Sequence, residues 1–182
     1  MIDKQKIQTL QDSLKLFFDN DEKSMSFTVD CCLKDRISFI EKVIFSQSSK
    51  AAFYFRFFLS KLAYYIDYSP IKVFIYRLIG IKIGKGVFIS PDVIIDVHFP
   101  QLIKIDDYAI LGLGSAVFCH DFISNMYRLG QVHIGKGAVI GAYSLIGCGV
   151  HIGEQANIGA KSAIGKDVPD FHKQPQKLKS DD

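Results

Sequence analysis

The sequence lacks the features that would assign it at once to several classes of protein. Its four cysteines, none in a C-x-x-C spacing, are too few for a disulfide framework in 182 residues. The first residues contain no apolar signal core, so we expect a cytoplasmic protein in a reducing compartment. A net charge of +3 gives no global basic field for nucleic acid, and an apolar fraction of 48% excludes a disordered chain.

Helical periodicity is confined to residues 1–80, which we expect to form a helical N-terminal region. Apolar residues three and four apart predict two helices, with a polar loop at 20–30 between them. The two apolar stripes are Ile7, Leu10, Leu14 and Phe17, then Leu33, Ile37, Ile40 and Ile44. A third helix is predicted over 51–68, before a proline step, and a short fourth helix over 71–79 that ends at Gly80.

Positive charge and aromatic residues are concentrated in one segment. Residues 50–85 contain seven basic residues and one acidic residue, and ten of the 23 aromatic residues lie between Phe53 and Tyr76. Charged residues interrupt every apolar window there, so we do not expect a membrane span. Residues 50–80 are either an interfacial element, peripheral at the inner face of a membrane, or a surface that packs on a neighbouring subunit or domain.

From residue 83 onwards, the chain repeats with a period of six residues. Twelve aliphatic residues start the hexads: Ile83, Ile89, Ile95, Ile105, Leu111, Val117, Ile134, Ile140, Ile146, Ile152, Ile158 and Ile164. Glycine follows eight of them and aspartate follows two, which allows tight turns. A fixed six-residue period is typical of a parallel β-helix, in which the aliphatic side chains point inwards and stack.

The segment from Ile134 to Pro169, "IGKGAVIGAYSLIGCGVHIGEQANIGAKSAIGKDVP", resembles the hexapeptide-repeat acyltransferases, in particular the maltose, galactoside and xenobiotic acetyltransferases. The resemblance implies a mainly β protein: a left-handed parallel β-helix of about four coils over residues 81–169, after the helical region 1–80 and before a tail at 170–182. It also implies transfer of an acetyl or short acyl group from acetyl-coenzyme A (acetyl-CoA) in a homotrimer.

Two insertions interrupt the repeat, around residues 98–101 and at the expected loop 121–133. In the enzymes that the chain resembles, the general base is a histidine at the start of the interrupting loop, and "AVFCHDF" has His120 at that place. Imidazole suits this role at neutral pH. By the same resemblance Asp96 lines the acceptor site, with satisfaction of a corner amide as the alternative. Asp121 either orients His120 or is a solvated loop charge.

The resemblance also implies residues that bind acetyl-CoA. The Ala142 amide matches the group that holds the thioester carbonyl or its oxyanion, and Ala160 matches an amide that binds the pantetheine arm. Gly165 and Lys166 match the step whose lysine meets the nucleotide phosphates. The tail after Pro169 departs from the family pattern, so the sequence does not indicate contacts with the adenine end. Arg128 resembles a loop arginine of the family but is not at the matching offset.

Zinc and thiol chemistry are the competing interpretations of the candidate site. The γ-type carbonic anhydrases carry a Gly-His-x-Ala-x-x-His-Gly stretch, but residues 141–148 contain no histidine and no metal is expected. His133 and His151 precede inward-facing repeat positions and are expected at the surface. Cys119 suggests a thiol nucleophile, although neighbouring side chains on a strand point to opposite faces, so one of Cys119 and His120 must face away.

The sequence leaves the acceptor and the wider role open. By resemblance the acceptor is a small sugar-like molecule of surface polysaccharide, but the sequence does not distinguish a hydroxyl from an amine or fix the acyl chain length. The serine acetyltransferases share the repeats, but the Asp-His and Gly-Glu-Thr-Ala motifs of their early coils are absent here. A non-catalytic scaffold that docks on a partner or membrane is the remaining alternative, and coenzyme A affinity would separate it from a transferase.

Overall fold

The computed structural model describes residues 4–20, 22–28, 41, 43–45, 49–123 and 126–173. Three helices precede the repeats: α1 (Lys4–Asp19), α2 (Lys50–Tyr65) and α3 (Ser69–Ile79). They confirm the first, third and fourth predicted helices, whereas the stripe from Leu33 lies largely outside the described residues. No helix among the described residues is long and apolar enough to cross a bilayer.

The ends of α2 and α3 follow from local chemistry. The Ser49 side chain accepts a hydrogen bond from the Ala52 amide at 3.2 Å and caps the start of α2. Pro70 lies in the first turn of α3, where its missing N–H is not needed. Gly80 ends that helix with φ +112°, a left-handed conformation that favours glycine.

The expected loop at 20–30 is wrong in part. Residues Ser24–Thr28 form strand β1, which pairs antiparallel with β9 (Met126–Gly130). Met25 and Phe27 are half-buried and alternate with exposed polar residues, so the segment has the two-residue period of a strand with one buried face. Its partner lies about 100 residues later in the sequence, and a local composition argument does not include that pairing.

The repeats form three parallel sheets of four strands each. The strands in chain order are β2 (Lys82–Ile83), β3 (Phe88–Ile89), β4 (Ile94–Ile95), β5 (Ile103–Ile105), β6 (Ile110–Leu111), β7 (Ala116–Val117), β10 (Val132–Ile134), β11 (Val139–Ile140), β12 (Leu145–Ile146), β13 (His151–Ile152), β14 (Asn157–Ile158) and β15 (Ala163–Ile164). The sheet orders are β2-β5-β10-β13, β3-β6-β11-β14 and β4-β7-β12-β15. Every third strand therefore stacks on its predecessor, as a β-helix requires.

The strand register places the hexad aliphatic residues on one another. Ile140, for example, pairs with Leu111 on one side and Ile158 on the other, and all three side chains are buried. The glycine after Ile140 is needed for close stacking, because a Cβ at Gly141 would lie 2.4 Å from the Ala160 nitrogen. Burial of these stacked aliphatic side chains is the main source of stability in this region.

Helix α3 packs on the first turn of the β-helix. The Ser69 hydroxyl accepts a hydrogen bond from the Ile89 amide at 2.8 Å. The buried Lys72 ammonium donates to the Ser90 carbonyl at 2.7 Å. Arg77 donates to the carbonyl of Ile83 at 3.0 Å, and α3 thus satisfies backbone groups at the end of the stack that no further coil covers.

Both insertions have regular structure. Residues 100–102 of the first form a short 3-10 helix. In the second, the expected loop 121–133 is instead an antiparallel hairpin of β8 (His120–Ile123) and β9, followed directly by β10. Strand β1 adds to β9 and completes a three-stranded sheet. His120 is therefore held on a strand that pairs across to Leu129, not on an irregular loop.

Candidate active site

The candidate site is built where the end of β7 leads into β8. His120 is the first residue of β8, and its side chain is 20% exposed. Its Nδ1 contacts Oδ2 of Asp96, whose side chain is only 1% exposed and which directly follows β4. Two stacked strands thus bring together a buried carboxylate and a partly accessible imidazole that lie 24 residues apart in the chain.

Asp96 is the centre of the hydrogen-bond network. Its Oδ1 accepts from the His98 amide at 2.9 Å and contacts the His98 Nδ1 at 2.7 Å. Its Oδ2 also accepts from the Cys119 amide at 3.3 Å. Burial alone would raise the pKa of Asp96, but hydrogen bonds and charges from His120 and His98 outweigh it and hold the pKa far below its usual range. The carboxylate is therefore ionised at neutral pH.

The structure gives the two aspartates different partners. Asp96 lines the cavity described below, but its side chain is buried and protein donors occupy both of its oxygens. One of these donors is His120. Asp121 does not contact His120: Arg128 binds its two oxygens at 2.8 and 2.5 Å across the β8–β9 hairpin. This ion pair raises the pKa of Arg128 and places Asp121 in the hairpin, at the surface of the protein.

Cys119 is buried beneath the site. Its Sγ donates to Asp96 Oδ2 at 3.2 Å, and its side chain has no exposed surface. Burial and the Asp96 charge raise the pKa of this thiol well above its usual value, so no thiolate forms at neutral pH. The thiol therefore does not have the accessibility or ionisation that nucleophilic catalysis needs, and of these two neighbours His120 is the accessible one.

A cavity of about 670 Å³ lies beside the two imidazoles. One wall is the β-helix with Asp96, His98 and His120, and the other wall is helix α2. Phe57, Ser60, Lys61, Tyr64 and Tyr65 line the α2 wall. The Lys61 ammonium lies over the Phe57 and Tyr64 rings, 5.5 and 6.0 Å from their centroids. The helical region thus forms part of the candidate site.

The residues expected to bind acetyl-CoA lie away from His120 in this chain. Ala142 and Ala160 lie at one corner of the β-helix, after β11 and β14 and before β12 and β15. His120 lies beyond the opposite side of the sheet that contains β7, β12 and β15. Gly165 and Lys166 follow β15 and are exposed. One protomer does not bring the alanine amides and His120 together.

Two further histidines form a separate group. His133 and His151 lie at the same register on β10 and β13, with ring centroids 4.2 Å apart. His151 is exposed as expected, but His133 is half-buried and its Nε2 contacts Asp106 at 2.5 Å. Among the described residues, only Asp96, Cys119 and His120 group closely enough for three metal ligands, and hydrogen bonds within this group account for its closeness.

Sequence reasoning missed His98. It lies in the first insertion, and no motif marks it. The usable signal is its spacing from Asp96, because residues two apart on an extended chain project to the same side. The Asp-Val-His order therefore predicts that a carboxylate and an imidazole share one face, next to the strand that leads to His120.

Comparison with known proteins places this geometry in a family. Residues 131–166 match the family model described as bacterial transferase hexapeptide (six repeats). The "Putative acetyltransferase YvoF" of Bacillus subtilis (strain 168) is 33% identical over 115 residues, which are 63% of this chain and 67% of YvoF. The "Putative colanic acid biosynthesis acetyltransferase WcaF" of Escherichia coli (strain K12) is 38% identical over 75 residues, 41% of this chain and 35% of WcaF.

The fold has solved counterparts. The hexapeptide-repeat acetyltransferase VCA0836 of Vibrio cholerae aligns with a TM-score of 0.56 at 17% identity, over 66% of this chain and 83% of VCA0836. The same protein in complex with acetyl coenzyme A aligns with a TM-score of 0.52 at 16% identity, over 66% of this chain and 80% of that one. At this identity the likeness establishes the fold, which is the left-handed parallel β-helix.

Proposed function

Because this chain belongs to the hexapeptide-repeat acyltransferase family, we propose that it transfers an acetyl or short acyl group from acetyl-CoA to a sugar-like acceptor, with His120 as general base. The observation that carries the proposal is the contact of the His120 Nδ1 with a buried, ionised Asp96 at the edge of a cavity. A base held in one orientation by a carboxylate is the arrangement that proton abstraction from an acceptor requires.

The proposed reaction proceeds in one ternary complex. The acceptor donates its hydroxyl proton to Nε2 of His120 while its oxygen attacks the thioester carbonyl carbon. The tetrahedral oxyanion then collapses, the C–S bond breaks, and the coenzyme A thiolate takes the proton back from the imidazolium. The products are the acetyl ester and free coenzyme A, and the charge on Asp96 stabilises the imidazolium between the two proton transfers.

The donor site is proposed at the corner that contains Ala142 and Ala160. Among the described residues, no hydrogen-bond acceptor contacts the amide nitrogens of these two residues, so both amides are free for a thioester oxygen and a pantetheine arm. Gly165 gives the chain close access to a ligand, and the exposed Lys166 supplies positive charge for phosphates. Acetyl-CoA is the proposed co-substrate, as in the VCA0836 complex.

A homotrimer completes this proposed site. Because Ala142 and His120 are separated by the sheet that contains β7 and β12, a groove that contains both must use His120 of one protomer and Ala142 of its neighbour. In this arrangement the β-helix at 81–169 supplies the catalytic groove. The helical region 1–80 supplies one cavity wall through α2.

The acceptor is proposed to be sugar-like, and a serine-sized acceptor is the alternative. The cavity of about 670 Å³ lies within the range of sites that enclose larger ligands. Its aromatic walls, including Phe57, Tyr64 and Tyr76, suit a ring more than a small amino acid. The reaction proposed above is written for a hydroxyl acceptor, and an amine would lose its proton to the same nitrogen.

The outer face of α2 and α3 favours a second role, contact with an anionic membrane surface from a cytoplasmic location. Two apolar stripes on these neighbouring helices are largely exposed: Tyr54, Phe55, Phe58, Leu62 and Tyr65 on α2, and Ile71, Phe74 and Leu78 on α3. Basic residues accompany them, while Asp67 is the one acidic residue between 50 and 85. Aromatic and basic residues together are typical of a peripheral membrane surface.

Two measurements on the full chain decide between a transferase and a non-catalytic scaffold. Calorimetry should show binding of coenzyme A, and acetyl-CoA should be turned over with a panel of sugars, nucleotide sugars and amines. Light scattering should give a trimer. Neither coenzyme A binding nor turnover would be seen for a scaffold, and a monomer at micromolar concentration would contradict the shared groove.

A further inference from the structure

The candidate site positions two imidazoles, and base catalysis uses only one. His98 and His120 contact opposite oxygens of Asp96 through Nδ1, and their ring centroids are 4.7 Å apart. Phe53 packs against the His98 ring at 5.4 Å, and Phe99 packs against the His120 ring at 6.0 Å. Both rings are therefore held on two sides, by the carboxylate and by an aromatic neighbour.

The carboxylate decides which ring nitrogen carries the proton. An ionised carboxylate only accepts hydrogen bonds, so Nδ1 is the donor in both rings. A neutral imidazole with its proton on Nδ1 has its lone pair on Nε2. Among the described residues, no group bonds to Nε2 of His98 or His120, and both side chains line the cavity. Two neighbouring hydrogen-bond acceptors are thus available to a ligand.

We propose that His98 binds a second hydroxyl of the acceptor, beside the hydroxyl that His120 deprotonates, so that the site selects sugar rings with hydroxyls on neighbouring carbons. This inference rests on the proposed acyl transfer at His120. One hydroxyl donates to Nε2 of His120 and becomes the ester, while its neighbour donates to Nε2 of His98 and stays unmodified. A simple amine or alcohol has no second hydroxyl that could donate to Nε2 of His98, so we expect it to bind with lower affinity.

The walls of the cavity are compatible with this ligand class. The ionised Asp96 is buried and its two oxygens accept hydrogen bonds from the two imidazoles. Lys61 is a cavity cation for which the described residues provide no ion-pair partner. Aromatic rings on both walls, Phe57 on α2 and Phe118 on the β-helix, offer flat surfaces to the faces of a sugar ring. The two imidazoles are then the groups that fix which hydroxyls of the ring are recognised.

The tautomers are tested first, without any acceptor. In the full chain labelled with [15N]histidine, long-range proton–nitrogen spectra distinguish Nδ1–H from Nε2–H, and His98→Gln and His120→Gln assign the signals. We expect the Nδ1–H form for both rings at pH 8. An Nε2–H form of His98 would remove the acceptor lone pair from the cavity and overturn the proposal.

Kinetics then test the second hydroxyl. Wild type and His98→Gln are compared on hydrolysis of acetyl-CoA by water and on acetyl transfer to methyl glucoside, galactoside and mannoside. For each glycoside that is acetylated, a deoxy analogue lacks the hydroxyl beside the modified one. We expect His98→Gln to raise the acceptor KM about 3- to 10-fold, the size of one lost hydrogen bond, and to change kcat for transfer by a smaller factor. In wild type, the KM of the deoxy analogue should exceed that of its parent glycoside by the same factor. In His98→Gln, the two compounds should have equal KM values.

Each contrary result has a distinct meaning. If His98→Gln lowers kcat for transfer and leaves the acceptor KM unchanged, His98 acts only through Asp96 and His120, and the proposal is wrong. Equal KM values for a glycoside and its deoxy analogue would also overturn it. If hydrolysis depends on His120 but no glycoside is acetylated, the ligand class is wrong while acyl transfer stands. If neither hydrolysis nor transfer depends on His120, the proposed function itself is wrong.

Discussion

The β-helix and the helical region before it follow different sequence rules. In the β-helix, every six residues repeat one buried position and one turn, so each coil is specified locally and supported by its neighbours. The helical region has no repeat. Its helix α3 packs on the β-helix through buried apolar residues such as Val73 and Ile79, and through single polar contacts such as that of Lys72 with Ser90. The candidate site lies where the two regions meet, with its base on the β-helix and one cavity wall on α2.

The largest effect should appear in the stability of the β-helix, where each coil packs on its neighbours. Gly141→Val places a side chain where even a Cβ would lie 2.4 Å from the Ala160 backbone nitrogen, so we expect a loss of about 2 to 4 kcal/mol in the free energy of unfolding. Gly165→Val is the matched control, because no atom lies within 4 Å of a Cβ at Gly165. Urea denaturation measures both, and equal losses would contradict the stacking account.

The next effect concerns the carboxylate that joins the two imidazoles. Asp96→Asn keeps the shape but removes the charge and one acceptor, so we expect turnover of acetyl-CoA to fall about 100-fold or more. Asp121→Asn is the control, because Asp121 contacts Arg128 and not His120. Steady-state kinetics measure the two variants, and a larger loss in Asp121→Asn would restore the orienting role expected from the sequence.

The pH dependence of stability should show the same carboxylate. The folded pKa of Asp96 lies below its unfolded value, so the folded state binds fewer protons and the stabilisation is present at neutral pH. It should be lost progressively as the pH falls below the ordinary carboxyl pKa of about 4. The midpoint temperature of thermal unfolding should therefore change less between pH 7 and pH 3 in Asp96→Asn than in wild type. Identical slopes would show that Asp96 is not a low-pKa group.

A smaller effect is expected where α3 contacts the first coil. Lys72→Met leaves the Ser90 carbonyl without its buried donor, so we expect a loss of about 1 to 3 kcal/mol. Lys82→Met, at an exposed position of β2, should change stability by about 0.5 kcal/mol or less. Circular dichroism during urea denaturation measures both changes, and equal values would remove α3 as a support of the β-helix.

The smallest effect is expected at the outer face of α3. Flotation with vesicles that contain phosphatidylglycerol should recover the protein at low salt and less of it at high salt. The double variant Phe74→Ser with Leu78→Ser should weaken vesicle binding about 10-fold, because two exposed apolar side chains are lost. Phe171→Ser, an equally exposed residue beyond the last coil, is the control. If the double variant changes the oligomeric state instead, this face packs on another copy.

The comparison of the two regions also explains what a single sequence can predict. Strands such as β11 and β14 were predictable because the hexad spacing defines their position without reference to any distant residue. Strand β1 was not, because its partner β9 belongs to an insertion whose register the sequence does not reveal. The same reason accounts for Asp121: only the hairpin register places it opposite Arg128.

Within the site, the sequence predicts where His120 lies in the chain but not which side chains it contacts. The start of the second insertion identified His120, but the contact with Asp96 depends on the stacking of β4 under β7. The spacing of His98 from Asp96 is a sequence signal for their proximity, but the contact of both imidazoles with one carboxylate is seen only in the structure. The residue spacing along the chain predicts the position of each coil. The stacking of one coil on another determines which charged side chains come into contact.

The central claim is that His120 acts as the general base, and removal of its imidazole tests it most directly. His120→Ala should lower acetyl-CoA turnover about 100- to 10,000-fold and leave coenzyme A affinity almost unchanged, because backbone amides hold the donor. The rate should fall on acidification in wild type, since a protonated imidazole accepts no proton, and this dependence should vanish in the variant. Cys119→Ala should keep most activity. Near-normal turnover in His120→Ala would contradict the account and favour the scaffold alternative.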